Sequence, residues 1–258
     1  MGYAKLSLDG RTAVVLGGTS GIGQALAVGL AEAGADVVAS SRNAEKVAET
    51  AERILRVGRR TVEQTSDVTD GASLTELLAA TTAALGNVDI LVNAAGRTKR
   101  AATLDVGIEE WNAIVECNLT GTLRACQVFG RGMLDRGYGR IVNIASLTTF
   151  VALHEVAAYA ASKAAVGSLT RSLAVEWGRR GVNVNAIAPG VFPTALNRHL
   201  LEGTPRGQEL LQRTPLRRFG EVEELIGAAV FLASESASFV NGEIIAVDGG
   251  FLASGVNQ

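Results

Sequence analysis

The chain has little of what would place it outside the cell or in a membrane. Only two cysteines, Cys117 and Cys126, occur among 258 residues. That excludes a disulfide framework, and their spacing matches no metal-ligand pattern, so no metal is expected. Both fall in the helical segment after Trp111 and read as buried free thiols, the usual state in a reducing cytoplasm. No run of 18 or more apolar residues is present, and the N-terminus lacks a basic-then-apolar leader. Neither a membrane span nor an export signal is therefore expected. Neither sign of charge dominates: 24 basic side chains face 26 acidic ones, a net −2, so the overall balance calls for neither nucleic acid nor a lipid surface as a partner. The four prolines, Pro189, Pro193, Pro205 and Pro215, all lie in one stretch. No proline- or serine-rich linker divides the chain, and residues 1–258 are expected to form a single domain.

What is present is an apolar chain, 47% hydrophobic, in which strand-like and helical patterns alternate. Short apolar runs at Thr12–Leu16, Asp36–Ser40, Thr61–Ser66, Val88–Val92, Arg140–Ala145, Val182–Ile187 and Glu243–Val247 predict strands. Longer helical patterns over about 43–57, 70–85, 108–134, 157–179 and 221–234 separate them. The alternation predicts an α/β fold, a Rossmann-type doubly wound parallel sheet of about seven strands with helices on both faces. The long irregular stretch 189–220 is expected to form a lid over the substrate. Phe192, Leu196, Leu200 and Leu201 would be its apolar underside.

Two clusters carry chemistry. After the first strand comes Gly17-Gly18-Thr19-Ser20-Gly21-Ile22-Gly23, then a helical pattern that stops at Gly34. Strand, glycine-rich turn and helix together make a phosphate cradle: the backbone approaches closely, and the helix N-terminus presents unpaired N–H groups and a favourable dipole. The second cluster is Tyr159-Ala-Ala-Ser-Lys163, with Ser146 thirteen residues upstream. Positions i and i+4 share a helix face, so the Lys163 ammonium is expected to favour the Tyr159 phenolate and lower its pKa. Ser146 placed opposite would hydrogen-bond a substrate oxygen where charge develops. Read alone, Tyr-x-x-x-Lys is an ordinary helix pair.

Read together, these elements resemble the classical short-chain dehydrogenase/reductase family over essentially the full length. The glycine motif matches at Gly17, Gly21 and Gly23, with Leu16 where a threonine is usual. The adenine-contacting Asp-Val matches Asp67-Val68, and Asn-Asn-Ala-Gly appears as Asn93-Ala94-Ala95-Gly96, with Ala94 replacing an asparagine. Those two departures are expected to cost local hydrogen bonds at the sheet edge. Asn118, Ser146, Tyr159 and Lys163 match the catalytic set, and Pro189-Gly190-Val191 with Thr194 matches the element beside the nicotinamide. The resemblance implies that Thr19, Ser20, Ile22, Asn93, Ala94 and Gly96 also line the cofactor, that Tyr159 donates a proton in reduction, that Lys163 bonds the nicotinamide ribose, and that Asn118 holds a relay water. It implies a homotetramer built on the helices over about 108–134 and 157–179 and the last strand.

Cofactor preference follows from charge. The second strand runs into Ser41 and Arg42, with no carboxylate there to accept a ribose 2′-OH or repel a phosphate. Arg42 can form charge-assisted bonds to a 2′-phosphate, so NADP(H) is expected to be preferred over NAD(H). The C-terminal third resembles the gluconate 5-dehydrogenase branch, which implies a sugar, sugar acid or polyol. Arg97, Lys99 and Arg100, just after Gly96, would attract an anionic substrate, and His154 is a further substrate candidate, each against the plainer reading of a solvated loop. A 3-oxoacyl-thioester reductase and a non-catalytic dinucleotide-binding protein are the alternatives. The tail Gly250–Gln258 begins too apolar for a solvated end and is expected to pack on a neighbouring subunit.

Overall fold

A computed structural model describes residues 3–195 and 197–255. Among them, six strands form one parallel sheet: β1 (Thr12–Leu16), β2 (Asp36–Ser40), β3 (Ile90–Asn93), β4 (Gly139–Ile144), β5 (Val182–Pro189) and β6 (Ile244–Val247), in the order β2-β1-β3-β4-β5-β6. Their apolar runs are near-continuous because helices cover both faces, so successive side chains are buried alternately on opposite sides. Ala13 and Val15 of β1 enter one core with Leu26 and Leu30 of α1 (Gly21–Glu32), Ile54 of α2 (Ala44–Arg56) and Leu232 of α9 (Ile226–Ala233). Val14 and Leu16 enter the opposite core with Leu74 and Leu77 of α3 (Gly71–Leu85), Phe129 and Met133 of α5 (Gly121–Arg136), and Trp177 of α6 (Ala157–Trp177).

The seventh expected strand does not form. Residues 61–66 run beside β2 but outside the ladder: the Ser40 hydroxyl, not a backbone amide, donates to the Gln64 carbonyl at 2.6 Å. Backbone bonds occur only near the ends, Val37 N to Arg60 O at 3.1 Å and Ser66 N to Ser41 O at 3.0 Å. A β-branched run therefore ends as an edge segment held by a side chain and by backbone bonds at its ends. The helical pattern over 108–134 is also divided. It becomes α4 (Ile108–Val115), a π-helical turn Glu116–Thr120, and α5. Residues 189–220 are less irregular than expected, holding α7 (Arg198–Leu201) and α8 (Pro205–Arg213). Thr204 caps α8 by accepting from Gly207 N at 3.0 Å, with Pro205 at the first helical position.

The order of the strands creates the site. From β1 the chain winds outward to β2, then crosses back to β3 on the other side of β1, so the connections diverge between the β1 and β3 ends, where Leu16 pairs with Asn93. Ligands of open parallel sheets bind in the crevice outside such a divergence.

Close helix packing under the sheet gives a direct test. A Cβ on Gly29 of α1 would overlap Ile226 of α9. Gly29→Ala is therefore expected to lose about 1–3 kcal/mol to overpacking, offset by about 1 kcal/mol of helix propensity. A double-mutant cycle with Ile226→Ala, read from urea midpoints, should return a coupling of at least about 0.5 kcal/mol that relieves the clash. Strict additivity would show that the two helices do not meet this way.

Candidate active site

One cavity of about 390 Å³ gathers the ends of β1, β3, β4 and β5 and side chains of residues 189–220. Gly17, Ser20, Gly21, Ile22 and Gly23 line it from the turn after β1, and Ala94 and Gly96 from the loop after β3. Ser146, Tyr159 and Lys163 line it from β4 and α6, and Pro189, Gly190, Val191 and Thr194 from the end of β5.

The glycine turn is closed to side chains. Gly17 has φ +72°, and a Cβ on it would stand 2.6 Å from Ala95 N. A Cβ on Gly23 would strike the Gly17 carbonyl. Ser20, the N-cap of α1, makes no side-chain capping bond. The first-turn amides of α1 therefore face the cavity without the partner such a cap usually supplies. Backbone packed this tightly, with uncapped amides at a helix N-terminus, fits the pyrophosphate of a dinucleotide.

The residues expected at the adenosine end lie beyond the cavity walls. Thr19 Oγ1 donates to Ser41 Oγ at 2.7 Å. Arg42 extends into solvent, its side chain 80% exposed, with its guanidinium 3.9 Å from Asp67. Burial pushes the Asp67 carboxyl up, but hydrogen bonds from the Thr69 backbone and hydroxyl and the nearby Arg42 and Arg124 outweigh it, so it stays below its ordinary value. Val68 packs against Gly121 at the start of α5, and its carbonyl accepts from Arg124 at 2.7 Å. Asn93 departs from expectation. Its amide turns inward, donating to Asn143 Oδ1 at 2.8 Å and to Cys126 Sγ at 3.4 Å, and it is Ala94 and Gly96 that reach the cavity. Asn93 Oδ1 is buried with no partner among the described residues, beside the Leu16 and Ala94 departures.

The catalytic candidates converge. Ser146 follows β4 in extended backbone. Its Oγ accepts from Thr148 N at 3.2 Å, which leaves the hydroxyl proton free to donate. Thr149 ties the group together: its Oγ1 accepts from Ser146 N at 3.3 Å and donates to the Lys163 carbonyl at 3.0 Å. Lys163 is buried, and its Nζ donates to Ile144 O at 2.6 Å. Asn118 sits in the π-helical turn, a feature frequent at functional sites. It accepts from Arg97 N at 2.8 Å and donates to Arg97 O and to Ser162 Oγ, each at 3.0 Å. A Cβ on Gly96 would lie 3.5 Å from Asn118 Oδ1 and 3.8 Å from Lys163 Nζ, so both side chains aim at one spot.

One electrostatic expectation reverses. The Tyr159 phenol is pushed up by burial, and the Ser146 hydrogen bond offsets this only in part. The Lys163 ammonium lies 5.8 Å from the ring centroid and is committed to the Ile144 carbonyl, so it does not lower the phenol here. Burial instead pushes Lys163 itself down to about 8.

At the mouth, Arg97 keeps its place on the cavity wall, but its guanidinium pairs with Glu110 at 2.7 Å. Arg100 lines the cavity and pairs with Glu155 at 2.7 Å. His154 does not line the cavity: its side chain is 80% exposed and faces Glu155 at 3.6 Å, as a solvated loop histidine would. Arg206 on α8 lines the cavity and carried no signal in the sequence, where its segment read as loop. Phe192, Leu200 and Leu201 also line it, whereas Leu196 lies outside the described residues. Phe251 is buried within its own chain against Leu147, Leu201 and Leu210, and Arg213 stacks on it at 5.1 Å. The apolar start of the tail thus packs beneath residues 198–213, and residues 256–258 lie outside the described residues.

The family described as enoyl-(acyl carrier protein) reductase matches residues 17–252. The chain is 40% identical over 248 residues to gluconate 5-dehydrogenase of Gluconobacter oxydans, covering 96% of this chain and 97% of that one. It is 41% identical over 246 residues to D-threitol dehydrogenase of Mycolicibacterium smegmatis, covering 95% and 94%. A gluconate 5-dehydrogenase from Burkholderia cenocepacia, solved in complex with NADP and tartrate, superposes with a TM-score of 0.93 at 41% identity, over 97% of this chain and 98% of that one.

Lys163 supplies a test by pH. Its folded value of about 8 lies below its ordinary 10.5. Between those values the unfolded chain binds more protons, so stability rises with pH across that window. Below it the buried charge costs in full, about 3 kcal/mol at most. Lys163→Met is expected to have a higher urea midpoint than wild type at pH 7, with the advantage fading as pH approaches 10.5. A difference that stays constant with pH would mean that Lys163 is not a desolvated cation.

Proposed function

This chain belongs to the short-chain dehydrogenase/reductase family, and we propose that it interconverts a secondary alcohol and a ketone on a sugar, sugar acid or polyol, with NADP(H) preferred and NAD(H) admitted. The observation that carries this reading is that Ser146, Tyr159 and Lys163 line the same cavity as the glycine turn.

The turn Gly17–Gly23 would hold the pyrophosphate, with Ser41 and Arg42 toward a 2′-phosphate and Asp67-Val68 toward the adenine. Ala94, Gly96, Pro189–Val191 and Thr194 would flank the nicotinamide. When bound, the cofactor supplies or accepts a hydride. The protein's own residues manage the proton. Ser146 donates to the substrate oxygen and fixes its direction. Tyr159 protonates that oxygen in reduction and takes the proton back in oxidation. A raised phenol pKa keeps the proton on Tyr159 for donation. Lys163 stands nearby with a value of about 8, able to resupply a proton near neutral pH, and Asn118 braces the Arg97 backbone and aims its carbonyl oxygen beside Lys163.

Several observations support the substrate class. The relatives named above act, by their names, on gluconate and threitol, and the Burkholderia enzyme holds the dicarboxylate tartrate. The cavity mouth carries Arg97, Arg100 and Arg206. A non-catalytic dinucleotide-binding role is disfavoured because Ser146, Tyr159 and Lys163 are all retained in working order. For residues 189–220 we adopt the lid role. A homotetramer would cover apolar side chains that stand in water in the isolated chain: Ile108 on α4, Val175 on α6, and Phe239 before β6. No described helix is long and apolar enough to cross a membrane, and Cys117 and Cys126 are free thiols. A cytoplasmic location accords with both.

A spectrophotometric screen with NADPH and NADH separates the readings. Turnover of 5-ketogluconate and keto sugars without turnover of acetoacetyl thioesters is expected. The opposite pattern would favour the 3-oxoacyl-thioester reductase, and no turnover of any carbonyl would overturn the proposal. Arg42→Ala is expected to raise the KM for NADPH at least about tenfold, from a lost charge-assisted bond, while NADH kinetics barely move. Equal losses for both cofactors would refute the phosphate-binding role.

A further inference from the structure

Resting on the reading of a carbonyl reductase for small polar substrates, we propose that Arg206, carried by the lid helix α8, selects an anionic substrate by pairing with its carboxylate at the cavity mouth. Three arginines line the cavity, and they are not equivalent. Arg97 is held by Glu110 and Arg100 by Glu155, each at 2.7 Å. Arg206 has no carboxylate within 4.0 Å among the described residues. Its one hydrogen bond there runs from NH1 to the His154 carbonyl at 3.0 Å, which spans from the lid to the loop after β4.

That arrangement leaves a cation short of compensation. Burial pushes the Arg206 guanidinium below its ordinary value, and the like charge of Arg100 adds to this, while Glu155 and Glu209 oppose it from farther off. A partly buried cation without a close counter-ion is costly. A ligand carboxylate removes the cost and can take two parallel N–H donors from the planar fork. The support beneath Arg206 is rigid. Glu155 adopts φ +63°, a left-handed conformation rare outside glycine. It is held there by Ala101 N donating to its carbonyl at 3.0 Å and by the Arg100 pair. The loops after β3 and β4 thus meet at Glu155, and Arg206 closes on them from the lid. A substrate anion bound there would hold the lid down. A neutral polyol could not.

The experiment measures binding to protein saturated with NADPH, with which an alcohol cannot react, by titration calorimetry with D-gluconate, inorganic phosphate and the neutral D-sorbitol. Wild type is expected to bind gluconate at least about tenfold more tightly than sorbitol, with affinity falling as salt rises. Arg206→Met should cut the gluconate-to-sorbitol ratio about tenfold, and Arg206→Lys, which keeps the charge but loses the fork, should fall between. Phosphate binding tightly in place of gluconate, and lost in Arg206→Met, would support the anion site and assign the anion as a phosphoryl group. An unchanged ratio in Arg206→Met, an equal loss for gluconate and sorbitol, or a wild type that prefers neither anion would overturn the proposal. The readout is binding, so it stands or falls separately from the carbonyl screen.

Discussion

An ammonium kept out of water organises this molecule. Lys163 is buried, held to the last carbonyl of β4, and flanked by a glycine whose missing side chain leaves room beside it. A buried cation is tolerated only where polar groups surround it, and that requirement draws β4, α6 and the π-helical turn together. Thr149 is the joint. One hydroxyl accepts from the Ser146 amide and donates to the Lys163 carbonyl, so the strand end that carries one candidate group is registered against the helix that carries the others. The strand end and the helix are thus held together through one hydroxyl, which is how a site comes to be organised before its ligand arrives.

Much of the fold was legible in the sequence because both periodicities were clear. The apolar runs of β1, β2 and β5 are buried on both faces, and such runs are read without ambiguity when glycine turns bound them. The segment 61–66 failed for a reason composition does not record: its neighbour β2 binds it through the Ser40 hydroxyl and not through a ladder. The division of 108–134 was also invisible, since one extra residue in a turn changes hydrogen-bond pairing without interrupting the apolar pattern. In residues 189–220, four prolines read as irregularity. One of them, Pro205 after Thr204, is in fact a helix start.

The site shows the same division. Spacing sufficed for Ser146, Tyr159 and Lys163 because one helix and one strand end fix their relation. It did not suffice for charge. The expected effect of Lys163 on Tyr159 assumed that sharing a helix face means sharing a hydrogen bond, whereas the ammonium is committed to Ile144 and burial dominates both groups. Asn93 failed similarly, because its strand position fixed which way its amide turns, toward Asn143. Arg206 was out of reach, since its importance comes from what Glu110 and Glu155 do to the other two arginines.

The π-helical turn has a consequence for how the long helix can vary. Each residue added to or removed from a helix rotates everything beyond it by about 100°. The widened turn at Glu116–Thr120 takes up one surplus residue between α4 and α5. Removing a single residue there to restore a regular helix would swing Asn118 off the Arg97 backbone, or else rotate Phe129 and Met133 out of the core. Length in this stretch is therefore locked in a way that its unremarkable composition conceals, and sequence drift along it must proceed by exchange of side chains rather than by loss or gain of them.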